Sequence, residues 1–292
     1  MDNILQFLQA TLAPMVLVYT VSNLAAMGLQ VRVPQVVAAL KNKRAIALIF
    51  VWGWVVGPAL GYLITWILPL AEPYVIVVRL GSLAPCFPIL QQMVARSRGD
   101  AGFAGALIPL VAIGTVVLMP LVAPLMITGV TINTWALAKP LLLTILVPLI
   151  IGAAIRHYAD TAATRLFPVI KGLALITTLL TIIWLLIMFG KGILNTAGEF
   201  AFLATTLYMI GMGLIIYNFS YGMKQNQRSI MALGLGSMNG AALFSAMMAI
   251  PNADTRIWAM GVLWILWETP LAAIGAGIFG KLAGKSGEAD AE

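Results

Sequence analysis

Charged residues are scarce in this chain. Only 9% of its 292 residues are Asp, Glu, Lys or Arg, whereas 61% are hydrophobic. A soluble domain of this length would need a more polar surface, so the composition excludes one. Hydrophobic runs recur along the whole chain, and runs of about 20 residues can cross a bilayer. The composition therefore predicts a polytopic membrane protein with no soluble domain attached.

The residue patterns of common enzymes are also missing. One cysteine excludes an internal disulfide. Motifs such as the Walker sequence, HExxH, GxSxG and CxxC indicate nucleotide, metal or nucleophilic chemistry. The chain contains none of these four. An ATP-driven pump would further need a soluble segment to hold its nucleotide. We therefore expect a protein that is not an enzyme and that uses no cofactor and no metal, apart from a possible coupling ion.

Nine apolar segments account for the chain up to residue 280, and residues 281–292 form a short polar tail. We treat residues 1–280 as one all-α transmembrane domain embedded in the lipid bilayer. Its predicted spans cover about 4–28, 45–68, 73–95, 101–127, 135–156, 166–190, 200–222, 229–250 and 256–279.

Basic residues orient these spans. The net charge of +7 reflects Lys and Arg on loops at one membrane face, and we expect no nucleic-acid partner. With the N-terminus outside, most basic residues fall on cytoplasmic segments, and only Lys139, Lys191 and Arg256 fall on outer ones. Arg79 and Lys171 lie within spans. This asymmetry predicts an outer N-terminus and a cytoplasmic C-terminus in a membrane that we expect to be the bacterial inner membrane.

The third and eighth spans are interrupted near their middles. Pro85 and Pro88 break the third, in APCFP, and LGLGSMNGAAL around Asn239 breaks the eighth. The first break lies two spans after span 1 and the second lies two spans after span 6, and spans 1 and 6 cross the membrane in opposite directions under this topology. Paired breaks in opposed halves are typical of inverted-repeat transporters, whose sites lie near the midplane. The alternative is that Gly and Pro are simply common in membrane helices.

At these residues the chain resembles the bile acid:sodium symporter family. Met27-Gly28-Leu29 resembles the MGL that closes a family span, and Asn239 matches the asparagine of the GMQNSGLA-type break. Pro85 keeps the spacing between the family's CPGG-type break and its RGD exit, here Arg98-Gly99-Asp100. The resemblance implies a panel bundle (spans 1, 5 and 6) and a core bundle (spans 2, 3, 4, 7, 8 and 9), with the substrate between them. Bacterial members often have ten spans, and this chain is expected to lack the first.

The family's sodium ligands are replaced here. Aligned on the breaks, the Ser-Asn pair becomes Leu90-Gln91, and the hydroxyls of the next span become Ala104 and Ile108. The Glu and Gln of the eighth-span break fall on Gly234 and Met238. Sodium is a hard cation that needs several oxygen ligands. Of the side chains at these positions and at Asn239, only those of Gln91 and Asn239 offer an oxygen. The sequence therefore predicts the transporter class more strongly than it predicts sodium coupling.

Two ionisable residues within spans are further candidates. Glu268 lies in WILWETPLAA just before Pro270, at a depth where a charge is costly. We interpret it as an ion-coupling residue that lets a proton replace sodium, or as a structural carboxyl bonded to backbone freed by Pro270. Arg79 lies about 9 Å into the third span. It could bind an anionic substrate, pair with Glu268 or extend to the outer surface.

Three residues at the breaks complete the predicted site. Gln91 and Asn239 are candidates for contact with both substrate and coupling ion, or they could cap half-helices. Cys86, between the two prolines, is a candidate for substrate contact or inert packing. Together these residues predict a secondary transporter of small or amphipathic organic anions. The alternatives are an arsenite-efflux-like exporter using Cys86, a membrane-embedded lipid-modifying enzyme, or a passive channel or sensor. The oligomeric state stays open.

Overall fold

The computed structural model describes residues 2–87, 90–127, 133–251 and 253–286. These residues form fourteen α-helices and two short π-helical segments. The α-helices are α1 Asp2–Gly28, α2 Val33–Lys41, α3 Lys43–Val51, α4 Gly57–Ile67, α5 Glu72–Ser82, α6 Leu90–Ser97, α7 Ala101–Met126, α8 Thr134–Leu141, α9 Val147–Tyr158, α10 Asp160–Gly198, α11 Ala201–Phe219, α12 Gln225–Leu235, α13 Gly240–Met247 and α14 Thr255–Ser286.

Seven segments of the described chain are long and apolar enough to cross a membrane. They cover Ala10–Gly28, Lys43–Ile67, Ala101–Met126, Thr134–Tyr158, Asp160–Gly190, Ala201–Phe219 and Thr255–Gly284. Each coincides with one of the predicted spans. The other two predicted spans each consist of two short helices, α5 with α6 and α12 with α13. Pro88, predicted to take part in the first break, lies outside the described residues.

Two of the seven segments contain a π-helical turn that the sequence did not predict. Trp52–Val56 joins α3 to α4, and Leu142–Leu146 joins α8 to α9. In each case a proline follows two residues later, Pro58 or Pro148. A proline ring clashes with the carbonyl four residues before it. A widened turn directly ahead of the proline moves that carbonyl away and keeps the helix continuous.

The two broken helices meet at their breaks. The backbone N–H of Cys86 donates to the Ser237 carbonyl (3.1 Å), and the N–H of Asn239 donates to the Ala84 carbonyl (2.7 Å). These bonds form an isolated antiparallel bridge between Pro85 and Met238. Backbone groups freed inside a membrane need partners, and here each break supplies them to the other. We call this pairing the crossing.

Helices α1, α9 and α10 pack against one another and are called the three-helix group. α1 and α9 approach so closely at Gly28 and Gly152 that a Cβ on Gly28 would lie 2.5 Å from the Leu149 carbonyl oxygen. α1 and α10 are joined by side chains, through Ser22 and Thr177 (Oγ to Oγ1, 2.9 Å). Glycine within the MGL motif therefore permits backbone contact between two helices.

The remaining long helices surround the crossing. α14 packs against α5, α6, α12 and α13, while α7 contacts α6 and α12. We call α3–α7 and α11–α14 the broken-helix group. Several arginines gather at one end of the molecule, which we call the basic end: Arg44 lies against Gly222, and Arg98 lies against Gly284. Under the predicted orientation this is the cytoplasmic end.

Candidate functional site

A cavity of about 350 Å³ lies between the three-helix group and the broken-helix group. We call it the central cavity. One wall comes from α1 and α10, and the other comes from α6, the start of α13 and the middle of α14. Its polar lining residues are Tyr19, Asn23, Gln30, Gln91, Gln92, Lys171, Thr178, Glu268 and Thr269.

A second cavity of about 370 Å³ continues toward the basic end. It shares Gln30, Gln91 and Phe167 with the central cavity, and it is lined also by Arg32 and Arg156. We call it the vestibule. The two cavities therefore adjoin at these three residues, and the vestibule carries two guanidinium groups.

At the opposite end the two groups of helices are in contact. The Phe189 and Trp258 rings stack with centroids 6.4 Å apart and planes at 11°. Thr144 lies in the π-helical turn that leads into α9, and its hydroxyl oxygen is 3.2 Å from that of Ser245. Thr196 donates to the Tyr74 hydroxyl (3.3 Å). We call these the far-end contacts. They close the space between the groups on that side, so the cavity faces one end of the molecule.

Glu268 joins the central cavity to the crossing. Its carboxylate oxygen Oε2 accepts a hydrogen bond from the Met238 N–H (3.1 Å), and the residue is only 4% exposed. The sequence predicted either an ion-coupling carboxyl or a structural one bonded near Pro270. The hydrogen bond that Glu268 accepts comes from the break between α12 and α13, and not from the backbone near Pro270. The residue also lines the central cavity.

Asn239 caps the second half of the broken helix. Its side-chain oxygen Oδ1 accepts from the N–H groups of Ala241 (3.1 Å) and Ala242 (3.2 Å) at the start of α13. This is the geometry of an N-cap. Asn239 is 3% exposed, and it is the neighbouring Gly240 that reaches the cavity wall. The carboxamide oxygen is thus engaged by the helix.

Gln91 lines both the central cavity and the vestibule, and Gln92 lines the central cavity. Both lie in the first turn of α6, which begins at Leu90. The break in the third span therefore directs two carboxamides toward the space between the groups. Carboxamides both donate and accept hydrogen bonds, so they can bind polar groups of a solute.

Cys86 is buried within the crossing rather than in the cavity wall. It is 2% exposed and has a left-handed backbone with φ of 77°. A Cβ added at Gly234 would lie 3.5 Å from its sulfur. The structure therefore gives the thiol packing contacts and does not bring it to the central cavity.

Arg79 also lies away from the central cavity. Its Nε donates to Thr65 Oγ1 (3.1 Å) and its Nη1 donates to the Met126 carbonyl. The guanidinium carbon lies 4.5 Å from the centroid of the Tyr62 ring. These contacts tie α5 to α4 and to the C-terminal end of α7. The structure thus does not bring Arg79 together with Gln91 and Glu268, and within the described chain no ion pair joins it to Glu268.

Lys171 was not among the site residues predicted from the sequence. This lysine lies on α10 and lines the central cavity, with its Nζ 5.6 Å from the centroid of the Phe167 ring. A lysine within a predicted span was itself a signal, because ionisable residues at that depth commonly mark solute pathways.

The positions of the family's sodium ligands form an apolar cluster here. Leu90, Ala104, Ile108 and Met238 are each at most 4% exposed. A Cβ on Gly234 would lie within 3.0 Å of methyl carbons of Leu90 and Leu107, so this space is filled by hydrocarbon. Such side chains offer no oxygen to a hard cation.

Three of the nearby oxygens are engaged by the protein itself. The carbonyls of Ala84 and Ser237 accept the crossing bonds, and the Asn239 carboxamide oxygen caps α13. The residues present therefore do not fit a sodium ion bound as the family pattern implies.

Comparison with known proteins agrees with the architecture. A search of curated proteins finds no match. The family model described as "Sodium Bile acid symporter family" matches residues 17–196, which is more than half of the chain. The matched region includes the C-terminal part of α1, the first break, α6, and the segment of α10 that lines the central cavity. The chain is therefore an integral membrane protein that belongs to the sodium bile acid symporter family, a family of transporters.

Proposed function

We propose that the chain is a secondary active transporter that moves a small or amphipathic organic anion by alternating access. The observation that carries this proposal is the position of the central cavity. It lies between two groups of helices and reaches the crossing of two broken helices, through Glu268 and Gly240. In transporters with discontinuous helices, solutes bind at this kind of place.

The three-helix group corresponds to the panel and the broken-helix group to the core of a nine-span inverted repeat. The first pair of half-helices, α5 and α6, would then be the counterpart of the second pair, α12 and α13. The antiparallel bridge between Pro85 and Met238 supports this correspondence, because the two breaks approach one another in opposite directions.

Alternating access would proceed by movement of one group against the other. In the present state the vestibule leads to the basic end. Opening the other side requires separation of the far-end contacts, such as Phe189 from Trp258 and Thr144 from Ser245. These contacts are side-chain contacts between the groups, so the helices themselves can stay intact during the movement.

Proton coupling is the better candidate than sodium coupling. The sodium positions are apolar, whereas Glu268 is the only acidic residue among the described residues that line the two cavities. Its hydrogen bond to Met238 N–H connects a titratable group to the crossing. A proton gained or lost at Glu268 would therefore alter an interaction at the floor of the solute site.

The test is uptake by proteoliposomes with radiolabelled taurocholate, a bile acid anion, together with the hits of a thermal-shift screen of organic anions. We expect a pH gradient, acidic on the uptake side, to drive accumulation. A sodium gradient alone should not. Accumulation driven by sodium alone would contradict the coupling proposal. If the screen yields no ligand, or if flux only dissipates gradients of the solute, the carrier proposal fails.

A further inference from the structure

We propose that Lys171 sets the charge preference of the central cavity and pairs with the anionic group of the solute. The pairing with a solute rests on the transport function proposed above. The charge preference of the cavity does not depend on that function. It concerns α10, which the resemblance assigns to the panel and for which the sequence suggested no site residue.

Lys171 lies on the wall of the central cavity that belongs to the three-helix group. Its wall of the cavity includes Asn23 and Thr178, and the opposite wall includes Gln91 and Glu268. The Thr178 hydroxyl accepts from the Asn23 amide nitrogen (3.1 Å), so this part of the wall is held in place. Lys171 itself is exposed and lines the cavity, and its ammonium nitrogen lies 5.6 Å from the centroid of the Phe167 ring.

The charges around the cavity leave Lys171 as its principal cation. Arg32 and Arg156 line only the vestibule, and the Arg156 Nε pairs with Asp160 at 3.1 Å. The ion pairs found in the described chain do not include Lys171. The contact that the structure gives its ammonium group is the face of the Phe167 ring, which stabilises a cation without neutralising it.

The chemistry of the site indicates a solute with one anionic group. A lysine ammonium is a compact charge with three donors, which suits a carboxylate or a sulfonate. Beside it, Ala174, Leu175 and Ile265 offer apolar surface, and the glutamines offer hydrogen bonds. The volume of the central cavity, about 350 Å³, is at the small end of the range for ligand-binding pockets. The matching solute is a compact amphipathic monoanion.

A pair of thiol reagents of opposite charge tests the proposal without a known solute. Leu175 lies one helical turn after Lys171, lines the cavity and is 53% exposed, so Leu175→Cys places a reporter thiol beside the ammonium group. The reagents are sulfonatoethyl and trimethylammonioethyl methanethiosulfonate, and their labelling rates are compared by mass spectrometry. The unmodified chain should label slowly, because its single cysteine, Cys86, is buried.

We expect Lys171→Gln to lower the ratio of anionic to cationic labelling by at least about fivefold, since a unit charge at this distance acts strongly where water is limited. Lys171→Arg should keep the ratio. Lys139→Gln removes an equal charge from α8 and should also leave it unchanged. An unchanged ratio in Lys171→Gln overturns the proposal. A lowered ratio in a chain that transports no organic anion would refute the transport function and leave the charge preference standing.

Discussion

Glu268 and Met238 are joined across two helices: the carboxylate of α14 accepts the N–H that the break between α12 and α13 sets free, at 3.1 Å. α14 is continuous at this point, although it contains Pro270. An acidic side chain of an intact helix thus satisfies the backbone of a broken one. Any change in the protonation of Glu268 changes the interaction that holds the crossing against α14.

Two substitutions separate the structural and the coupling roles of Glu268. Glu268→Gln keeps an acceptor for the Met238 N–H, so we expect thermal stability close to that of the parent chain. It cannot exchange a proton, so proton-driven uptake should be lost. Glu268→Leu leaves the buried N–H without its partner and should cost about 1–3 kcal/mol of unfolding free energy.

The measurements are thermal unfolding in detergent and uptake under an imposed pH gradient. Lys139→Gln, a change on α8 outside the lining of both cavities, serves as the control and should keep proton-driven uptake. Proton-driven accumulation that persists in Glu268→Gln would show that the coupling proton binds elsewhere.

Arg79 is expected to stabilise the protein without binding the solute. Arg79→Met removes the hydrogen bonds to Thr65 and to the Met126 carbonyl at the C-terminal end of α7. Bonds from a charged donor commonly contribute about 1.5–3 kcal/mol, and a cation at a helix C-terminus adds to this. We therefore expect a clearly lower unfolding temperature, with unchanged affinity for a transported anion. The unfolding temperature of Arg79→Lys should fall between those of the parent chain and of Arg79→Met. Lost anion binding at unchanged stability would instead favour a solute-binding role.

Cys86 should be strained by its backbone conformation. A left-handed residue with a Cβ costs about 1–2 kcal/mol, and Cys86 has φ of 77°. Cys86→Gly and Cys86→Ala both remove the thiol, but only glycine removes the strain. We expect the glycine variant to be more stable than the alanine variant by about 1 kcal/mol, measured by unfolding. Ala232 is buried within the helix α12, where glycine is less favourable than alanine. Ala232→Gly should therefore lower the unfolding free energy. Equal stabilities at position 86 would refute the assigned conformation.

The far-end contacts should have to open during transport. The hydroxyl oxygens of Thr144 and Ser245 lie 3.2 Å apart, so the double substitution Thr144→Cys and Ser245→Cys brings two thiols within reach of a disulfide. We expect oxidation to abolish uptake and reduction to restore it. Each single variant should be insensitive to oxidation. A cross-linked protein that still transports at the full rate would mean that these helices do not separate.

The main features of the membrane architecture could be predicted from the sequence because they depend on composition. Runs of apolar residues predicted the seven long segments, and the Pro and Gly clusters around Pro85 and Asn239 predicted the two breaks. Short helices were harder. α2, Val33–Lys41, packs against α7, and nine residues are too few to cross a bilayer, so no hydrophobic run marked it.

The partners of individual side chains could be predicted only in part. Asn239 was expected either to contact the solute or to cap a half-helix, and the sequence could not distinguish the two because both require an amide at a break. Glu268 was identified from its depth alone. Its partner, Met238, is 30 residues away in sequence, and no periodicity relates them. Lys171 was passed over because depth within a span does not reveal which side of the helix faces a cavity.

The bridge between Pro85 and Met238 lies wholly within the broken-helix group. A solute resting above it would travel with an undisturbed backbone, and the barrier to turnover would come from separating a ring stack and a few hydroxyl pairs. Such side-chain contacts can separate and re-form on the microsecond to millisecond scale of collective motions, whereas a peptide hydrogen bond broken inside lipid would leave polar groups unsatisfied, at a cost of several kcal/mol.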